Sequence, residues 1–337
     1  MVNIAIIGCG SIVLWRHGPE CRDDENINLK GFFDINMERA QENADKFGGK
    51  AYECYEDVLN DKEVDAVIIS TANKFHCDMT VKAFEAGKHV LCEKPMALSI
   101  ADCKKMVDAG EKAGKFLMIA QSQRTDAVSR KAKELLTEID FGKVLSFKAS
   151  FANGGPDNWS ADGKKDNWFF DKNRAGFGAL GDLGIHKIDL VRWLIDEEFK
   201  YVTAKLSTRA KKDSEGNFIK NDDTSFCILE TESGVVGTIE ASWAHFGMTS
   251  NEVILYCENG IMEIFTDAPA PMVKIHMADG TNETYDIVPG NSLMAKNFAE
   301  CIINNKKPEI DGMEGLKAIN VVEKAEESSA KGMRIEL

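Results

Sequence analysis

Three side chains have the types and spacing for acid–base work: a lysine in a Glu-Lys-Pro turn, and an aspartate and a histidine four residues apart. Glu93-Lys94-Pro95 follows His89-Val90-Leu91-Cys92, which reads as a short buried strand. In an open α/β sheet, ligands lie beyond the carboxyl ends of the strands. Lys94 therefore stands where it can reach a substrate. A lysine pKa falls readily on desolvation, which suits it to proton transfer near neutral pH. The triplet equally fits a solvated lysine in a polar turn. Asp182 and His186 lie in the run 176–190. On a helix their spacing puts both on one face, where an aspartate can fix a histidine tautomer and stabilise its cation. A plain helix N-terminus, where acids favour the dipole, has the same look.

A second constellation suits a dinucleotide. Residues 3–7 form an apolar run that enters Gly8-Cys9-Gly10-Ser11-Ile12-Val13. Gly8 permits a tight turn, Gly10 lets the backbone approach a pyrophosphate, and a helix opening at Ser11 and Ile12 would favour its charge. The third fingerprint position is Val13 rather than Gly or Ala, which implies looser helix–strand packing. Asp34 follows 24 residues after Gly10 at the end of the second strand pattern, close to where ribose recognition is expected. A carboxylate there accepts from ribose hydroxyls and repels a 2′-phosphate, so NAD is favoured over NADP. Arg39 is close enough in sequence to keep NADP open.

The elements that would position these groups follow from periodicity. Strand patterns at 3–7, 29–33, 66–70, 89–92 and 116–120 alternate with helical patterns at 12–21, 37–47, 75–86 and 99–113. Such βαβ order implies a parallel sheet with helices on both faces. After residue 122 the pattern changes. A helix at 129–138 and a strand at 144–151 precede a loop at 153–178 and a helix at 185–195. Alternating strands follow at 201–209, 224–231, 235–243, 252–256 and 261–265, then helices at 292–304 and 315–329. The fold class is α/β plus α+β: residues 1–122 carry a parallel sheet, and 123–337 carry a large, mostly antiparallel open sheet.

Composition narrows the partners. At 337 residues two domains are expected. The net charge of −14 argues against nucleic acid and anionic membranes, and no apolar run is long enough for a membrane span. Nine cysteines, with no CxxC pair, read as reduced thiols of a cytoplasmic protein. Six scattered histidines give no metal motif, and His17, His89, His245 and His276 read as structural.

Taken together, the first-strand GxG, Thr71-Ala72-Asn73 with His76, the run 86–95, the run 178–190 and a closing helix with Ala325 and Ser328-Ser329 resemble the Gfo/Idh/MocA oxidoreductase family over nearly the whole chain. The resemblance implies a Rossmann domain followed by an α+β domain, and a homodimer or homotetramer formed through the second-domain sheet. It maps the family's catalytic Lys, Asp and His onto Lys94, Asp182 and His186. It places Thr71, Asn73, His76 and Glu93, with Lys94, on the cofactor side, Pro95 at a position where a cis bond is common, and Trp168 as a substrate-loop aromatic. Four residues depart from the pattern: Ala72 stands for a Pro, Phe177 for a Gly, Thr125 for an aromatic, and Trp15 is large for its place near the cofactor loop.

The chemistry implied is reversible hydride transfer between NAD and a secondary alcohol of a sugar, cyclitol or glycoside. His186 is the first choice of base, Lys94 stabilises the developing alkoxide, and Asp182 orients them; the roles of Lys94 and His186 can be exchanged. Gln123, Arg124, Asn153, Asn158, Trp168, His186 and Lys187 are candidate polyol contacts. The alternatives are an NAD-dependent glycosidase working through transient oxidation and a non-catalytic dinucleotide sensor. The expected effect of Asp34→Ala is weaker NAD binding and a narrower gap between NAD and NADP. Titration of both cofactors checks this, and unchanged selectivity would remove Asp34 from the site.

Overall fold

A computed structural model describes residues 1–161, 167–267, 271–288 and 293–337. Part of the expected 153–178 loop (162–166), and Ser292 of an expected helix, lie outside the described residues. The chain divides into two compact units. The first comprises Met1–Gln121, Asn173–Ala175 and Leu293–Ile319, and the second Ser122–Lys172, Gly176–Ser292 and Asn320–Leu337.

In the first unit six strands pair in parallel throughout: β1 Val2–Ile7, β2 Ile27–Phe33, β3 Lys50–Ala51, β4 Ala66–Ile69, β5 His89–Cys92 and β6 Leu117–Ile119. Their order is β3-β2-β1-β4-β5-β6. The chain reverses direction across the sheet between β1 and β4, which is where such sheets open a crevice for ligands. β4 is buried at every residue, as its unbroken apolar run requires when both faces are covered. Flanking helices start and stop where side-chain chemistry dictates. Asn36 accepts from the Glu38 and Arg39 N–H groups at the head of Met37–Phe47, and Ser99 accepts from Asp102 N–H before Ile100–Ala113, which Gly114 ends in the left-handed region.

The first unit also recruits a late segment that the sequence pattern assigned to the second domain. The helix Met294–Ile303 buries Met294, Ala295, Phe298 and Ala299. Its Ala295 N–H, an orphan donor of the first turn, is satisfied by the buried Glu20 carboxylate at 2.8 Å. The Ile119 N–H donates to the Ile310 carbonyl at 2.9 Å. Glu20 and Ala295 are 275 positions apart, so local patterning carries no trace of the contact.

The second unit is built on nine strands: β7 Val144–Ala152, β8 Phe199–Ser207, β9 Thr224–Thr231, β10 Val236–Ser242, β11 Ser250–Cys257, β12 Gly260–Phe265, β13 Met272–Met277, β14 Asn282–Asp286 and β15 Ile335–Glu336. Their order is β14-β13-β12-β11-β7-β10-β9-β8-β15. Only β7 and β10 pair in parallel. β13, β14 and β15 are additions to the expected strands: β13 alternates, with Val273 and Ile275 inward, whereas β14 is polar and largely exposed and β15 is two residues long. The stretch expected as a plain loop also holds short helical turns, Pro156–Asn158, Trp168–Phe170 and Lys172–Ala175.

The helix Ile185–Ile195 packs on this sheet, with nine of its eleven residues buried. Four of the nine are ionisable: His186, Lys187, Asp189 and Arg192. Buried charge is costly unless paired. Asp189 is paired: its carboxylate takes both arms of Arg124 at 2.6 Å, with both side chains at most 3% exposed. Arg192 is paired with Glu198 at 2.6 and 2.9 Å. Among the described residues no helix is long and apolar enough to cross a membrane, and all nine cysteines are unbridged. Arg124→Met is expected to cost about 3–5 kcal/mol by leaving Asp189 buried and uncompensated. Adding Asp189→Leu is expected to recover part of that loss. Urea unfolding checks both, and a further additive loss in the double variant would contradict the pairing.

Candidate active site

The glycine turn after β1 has little spare room on one side and much on the other. Gly8 sits at φ +91°, and a Cβ there would stand 2.7 Å from the Ser70 carbonyl oxygen, so the position demands glycine. A Cβ on Gly10 would meet nothing within 4 Å, which leaves space for a diphosphate to approach the backbone. The helical segment that follows contains a π-turn, Val13–His17, with Ser11 and Ile12 half-buried at its start and Trp15 59% exposed on it. Asp34 is fixed by two backbone donors, Cys9 N–H at 2.7 Å and Asn36 N–H at 2.8 Å. A carboxylate has about four lone-pair sites, so capacity remains for ribose hydroxyls. Beside Asp34 opens a cavity of about 730 Å³ whose apolar lining includes Phe33, Ile35, Met37, Phe75 and Met79. Glu53, Glu56 and Asp78 also line it, with Lys82 as the single cation. An adenosine with a free 2′-hydroxyl fits this lining, whereas a 2′-phosphate would face four carboxylates.

Two strands along the same edge, Glu93 and Lys94 follow β5. Glu93 is buried, and its Oε1 pairs with His17 Nε2 at 2.8 Å while its Oε2 accepts the Lys94 N–H at 3.1 Å. Burial alone would raise this carboxyl; the His17 hydrogen bond and the charges of His17, Arg16 and Lys94 outweigh it and hold the pKa at about 2. His17, expected to be merely structural, thus ties the π-turn to the Glu-Lys-Pro turn. The Lys94–Pro95 bond is cis. His76, expected on the cofactor side, has no exposed surface, and its ring nitrogens face the Pro95 carbonyl at 2.9 Å and the Thr71 carbonyl at 3.0 Å. Burial pushes its pKa down, against those two bonds. It clasps the loop after β4 to the turn after β5 and offers no face to a ligand. Asn73 spends its amide on the Ala175 carbonyl at 2.8 Å. Thr71 remains half-buried at the strand end, and Ala72, at φ −63° and ψ 142°, holds the conformation that a proline would impose.

In the second unit Asp182 lies on another π-turn, Leu180–Gly184, directly before the buried helix that begins at Ile185. π-turns are rare and concentrate at functional sites. The turn is anchored by Asp222, which accepts from Gly178 N–H at 3.0 Å and Leu180 N–H at 2.9 Å. A Cβ on Gly178 would lie 1.9 Å from the Asp222 carbonyl oxygen, so only glycine allows this approach. Burial pushes the Asp222 carboxyl up to about 6, with the two N–H donors pulling the other way. Asp182 is 6% exposed, and its Oδ2 accepts from Trp243 Nε1 at 3.0 Å. His186 is 7% exposed with its ring 5.9 Å from that of Phe151. Lys187 has no exposure, its Nζ lies 5.8 Å from the Phe151 ring, and burial pulls its pKa down to about 7. Ion pairs account for Asp189 and Arg192, whereas the Lys187 ammonium is buried with no hydrogen-bond partner.

The remaining expected substrate residues divide. Arg124 is committed to Asp189 inside the unit and is not placed for a ligand. Gln123 donates to Asn251 at 3.0 Å, while its Oε1 is buried without a partner. Asn153 and Asn158 shape their own loop, Asn153 accepting from Gly155 N–H at 2.8 Å and Asn158 donating to the Gly154 carbonyl at 2.7 Å. Trp168 stacks on Phe169 at 3.9 Å between ring centroids. Phe177, large where glycine was expected, is buried against Gly181. Sequence reading missed Trp243 and Asp222, which lie far in sequence from the residues they hold. Among the described residues no group of three or more His, Cys, Asp or Glu could hold a metal ion.

Known proteins bear on both units. Residues 2–121 match the family model described as oxidoreductase family, NAD-binding Rossmann fold, and residues 129–263 match the GFO/IDH/MocA C-terminal domain. Glucose-6-phosphate 3-dehydrogenase of Bacillus subtilis is 32% identical over 225 residues, 66% of this chain and 62% of that protein. Inositol 2-dehydrogenase of Salmonella typhimurium is 30% identical over 257 residues, 74% of this chain and 69% of that one. The crystal structure of an aldose-aldose oxidoreductase from Caulobacter crescentus, complexed with glycerol, superposes with a TM-score of 0.88 at 26% identity, covering 100% of this chain and 99% of that one. Family models that match both the Rossmann unit and the second unit place this chain in the Gfo/Idh/MocA oxidoreductase family.

Proposed function

We propose that the protein is an NAD-dependent oxidoreductase that interconverts a secondary alcohol and a ketone on a sugar, cyclitol or glycoside. The observation that carries this reading is the pair Asp182 and His186, four residues apart and both buried, one on the π-turn and the other on the helix that follows it. NAD supplies the hydride acceptor when bound. Gly8, Gly10, Ser11 and Ile12 would hold its diphosphate and Asp34 its ribose, and the acidic lining beside Asp34 supports NAD over NADP.

The remaining work falls to this chain's residues. His186 removes the hydroxyl proton as the carbonyl forms, and Lys94 donates to the oxygen on which negative charge develops. Asp182 holds the orientation of the imidazole. Gln123 Oε1 offers an acceptor for a further hydroxyl, and Asn153 and Trp168 border the polyol. The relatives' printed names, which include a sugar-phosphate 3-dehydrogenase and an inositol 2-dehydrogenase, support a polyhydroxylated substrate. Nine unbridged thiols suit a cytoplasmic setting. On the outer face of the second-unit sheet, Phe226 and Ile228 are 56% and 53% exposed and Val236 is 43% exposed. A second copy of this chain is the proposed cover, giving a homodimer or homotetramer.

Lys94→Ala is expected to leave NAD binding nearly intact and to lower turnover by roughly 10²–10⁴; wild-type turnover would reject its role. Following NADH absorbance with a panel of sugars, inositols and aryl glycosides tests the reaction class. Net NADH with a polyol is the expected result. Release of an aglycone without NADH would assign a glycosidase instead, and tight NAD binding with no turnover would assign a sensor.

A further inference from the structure

Trp243 follows β10, has no exposed surface, and is pinned through its backbone by the Asp223 carbonyl at 2.7 Å. Its indole N–H is a donor only, and a buried one needs a partner. That partner is Asp182 Oδ2, at 3.0 Å. One oxygen of the carboxylate is thereby held by a rigid, fully packed ring.

The ring also carries contacts outward. Phe169 meets Trp243 edge-on at 6.4 Å, and Phe170 meets it at 6.0 Å. Trp168 stacks on Phe169 at 3.9 Å, and Trp159 meets it edge-on at 5.0 Å. Phe169 is fixed in turn by Asn221, which donates to its carbonyl at 2.9 Å, and by Asn167, which accepts its N–H at 3.1 Å. Ala179, Leu183, Ile219 and Ala241 complete the apolar cluster around Trp243. Phe169 is thus the ring that joins Trp168 and Trp159 to the indole.

We propose that Trp243 is the positioning residue for Asp182, and that the aromatic stack through Phe169 to Trp168 makes the orientation of that carboxylate depend on the packing of the turn Trp168–Phe170. The proposal rests on Asp182 serving the reaction proposed above. Trp243 has no exposed surface; it acts through Asp182, by holding Oδ2 and with it the plane of the carboxylate.

The test is a double-mutant cycle on the full-length protein, with kcat and KM measured by NADH formation. Trp243→Phe keeps an aromatic ring and removes the donor. It is expected to lower kcat roughly 10- to 100-fold, the worth of a buried hydrogen bond to a charged acceptor, with KM for NAD unchanged. In the D182N background the same replacement is expected to change kcat by less than roughly twofold, because its route of action is already gone. Phe169→Leu, which leaves the indole donor in place, is expected to lower kcat less and to lose its effect in the same way. Equal losses in both backgrounds, or no loss from Trp243→Phe in the wild-type background, would overturn the proposal. If D182N alone leaves kcat unchanged, the assignment of Asp182 fails, and this inference with it.

Discussion

Removing an ionisable group from water costs several kcal/mol unless a partner is waiting, and this constraint organises the second unit around the helix Ile185–Ile195. Asp189 and Arg192 have their partners in Arg124 and Glu198. They let a helix buried on nearly all sides carry charge without tearing open the core. His186 and Lys187 are buried beside them, and the turn that leads into the helix is held from several sides. Asp222 holds the backbone where the helix begins, Gly178 permits that approach, and Trp243 holds the carboxylate of Asp182.

The first unit answers a different requirement, that of an extended anionic ligand. Parallel strands about 4.8 Å apart put Asp34, the glycine turn, the Thr71 loop and the Glu-Lys-Pro turn at successive strand ends. Each is tied to its neighbour: Asp34 to Cys9, His17 to Glu93, and His76 to both Thr71 and Pro95. The ties run through backbone carbonyls, backbone N–H groups and the buried hydrogen bond between His17 and Glu93. They do not consume the outward-facing capacity of Asp34.

Much of this was legible in the chain itself. The βαβ order, the glycine turn, the ribose-side acid and the long alternating strands all come from local periodicity, and local periodicity is what folds them. The strand His89–Cys92 and the helices Met37–Phe47 and Ile185–Ile195 fall where the pattern puts them. Contacts between distant residues were illegible. Glu20 capping a helix at Ala295, Arg124 committed to Asp189, and Trp243 holding Asp182 are all non-local. An arginine read as a substrate contact and a histidine read as a cofactor contact were both drawn inside by partners that spacing cannot reveal. The edge strands escaped for a simpler reason: a polar strand at a sheet margin has no buried face to impose alternation.

In the proposed reaction Lys94 and His186 would serve the same hydroxyl of a polyol while Asp182 keeps its bond to Trp243. A crystal structure of the protein with NAD and a substrate identified by turnover tests it most directly. The account predicts a single substrate hydroxyl within hydrogen-bond distance of both the Lys94 ammonium and the His186 imidazole, with the indole of Trp243 still on Asp182 Oδ2. A bound polyol whose reacting hydroxyl contacts neither group would contradict it.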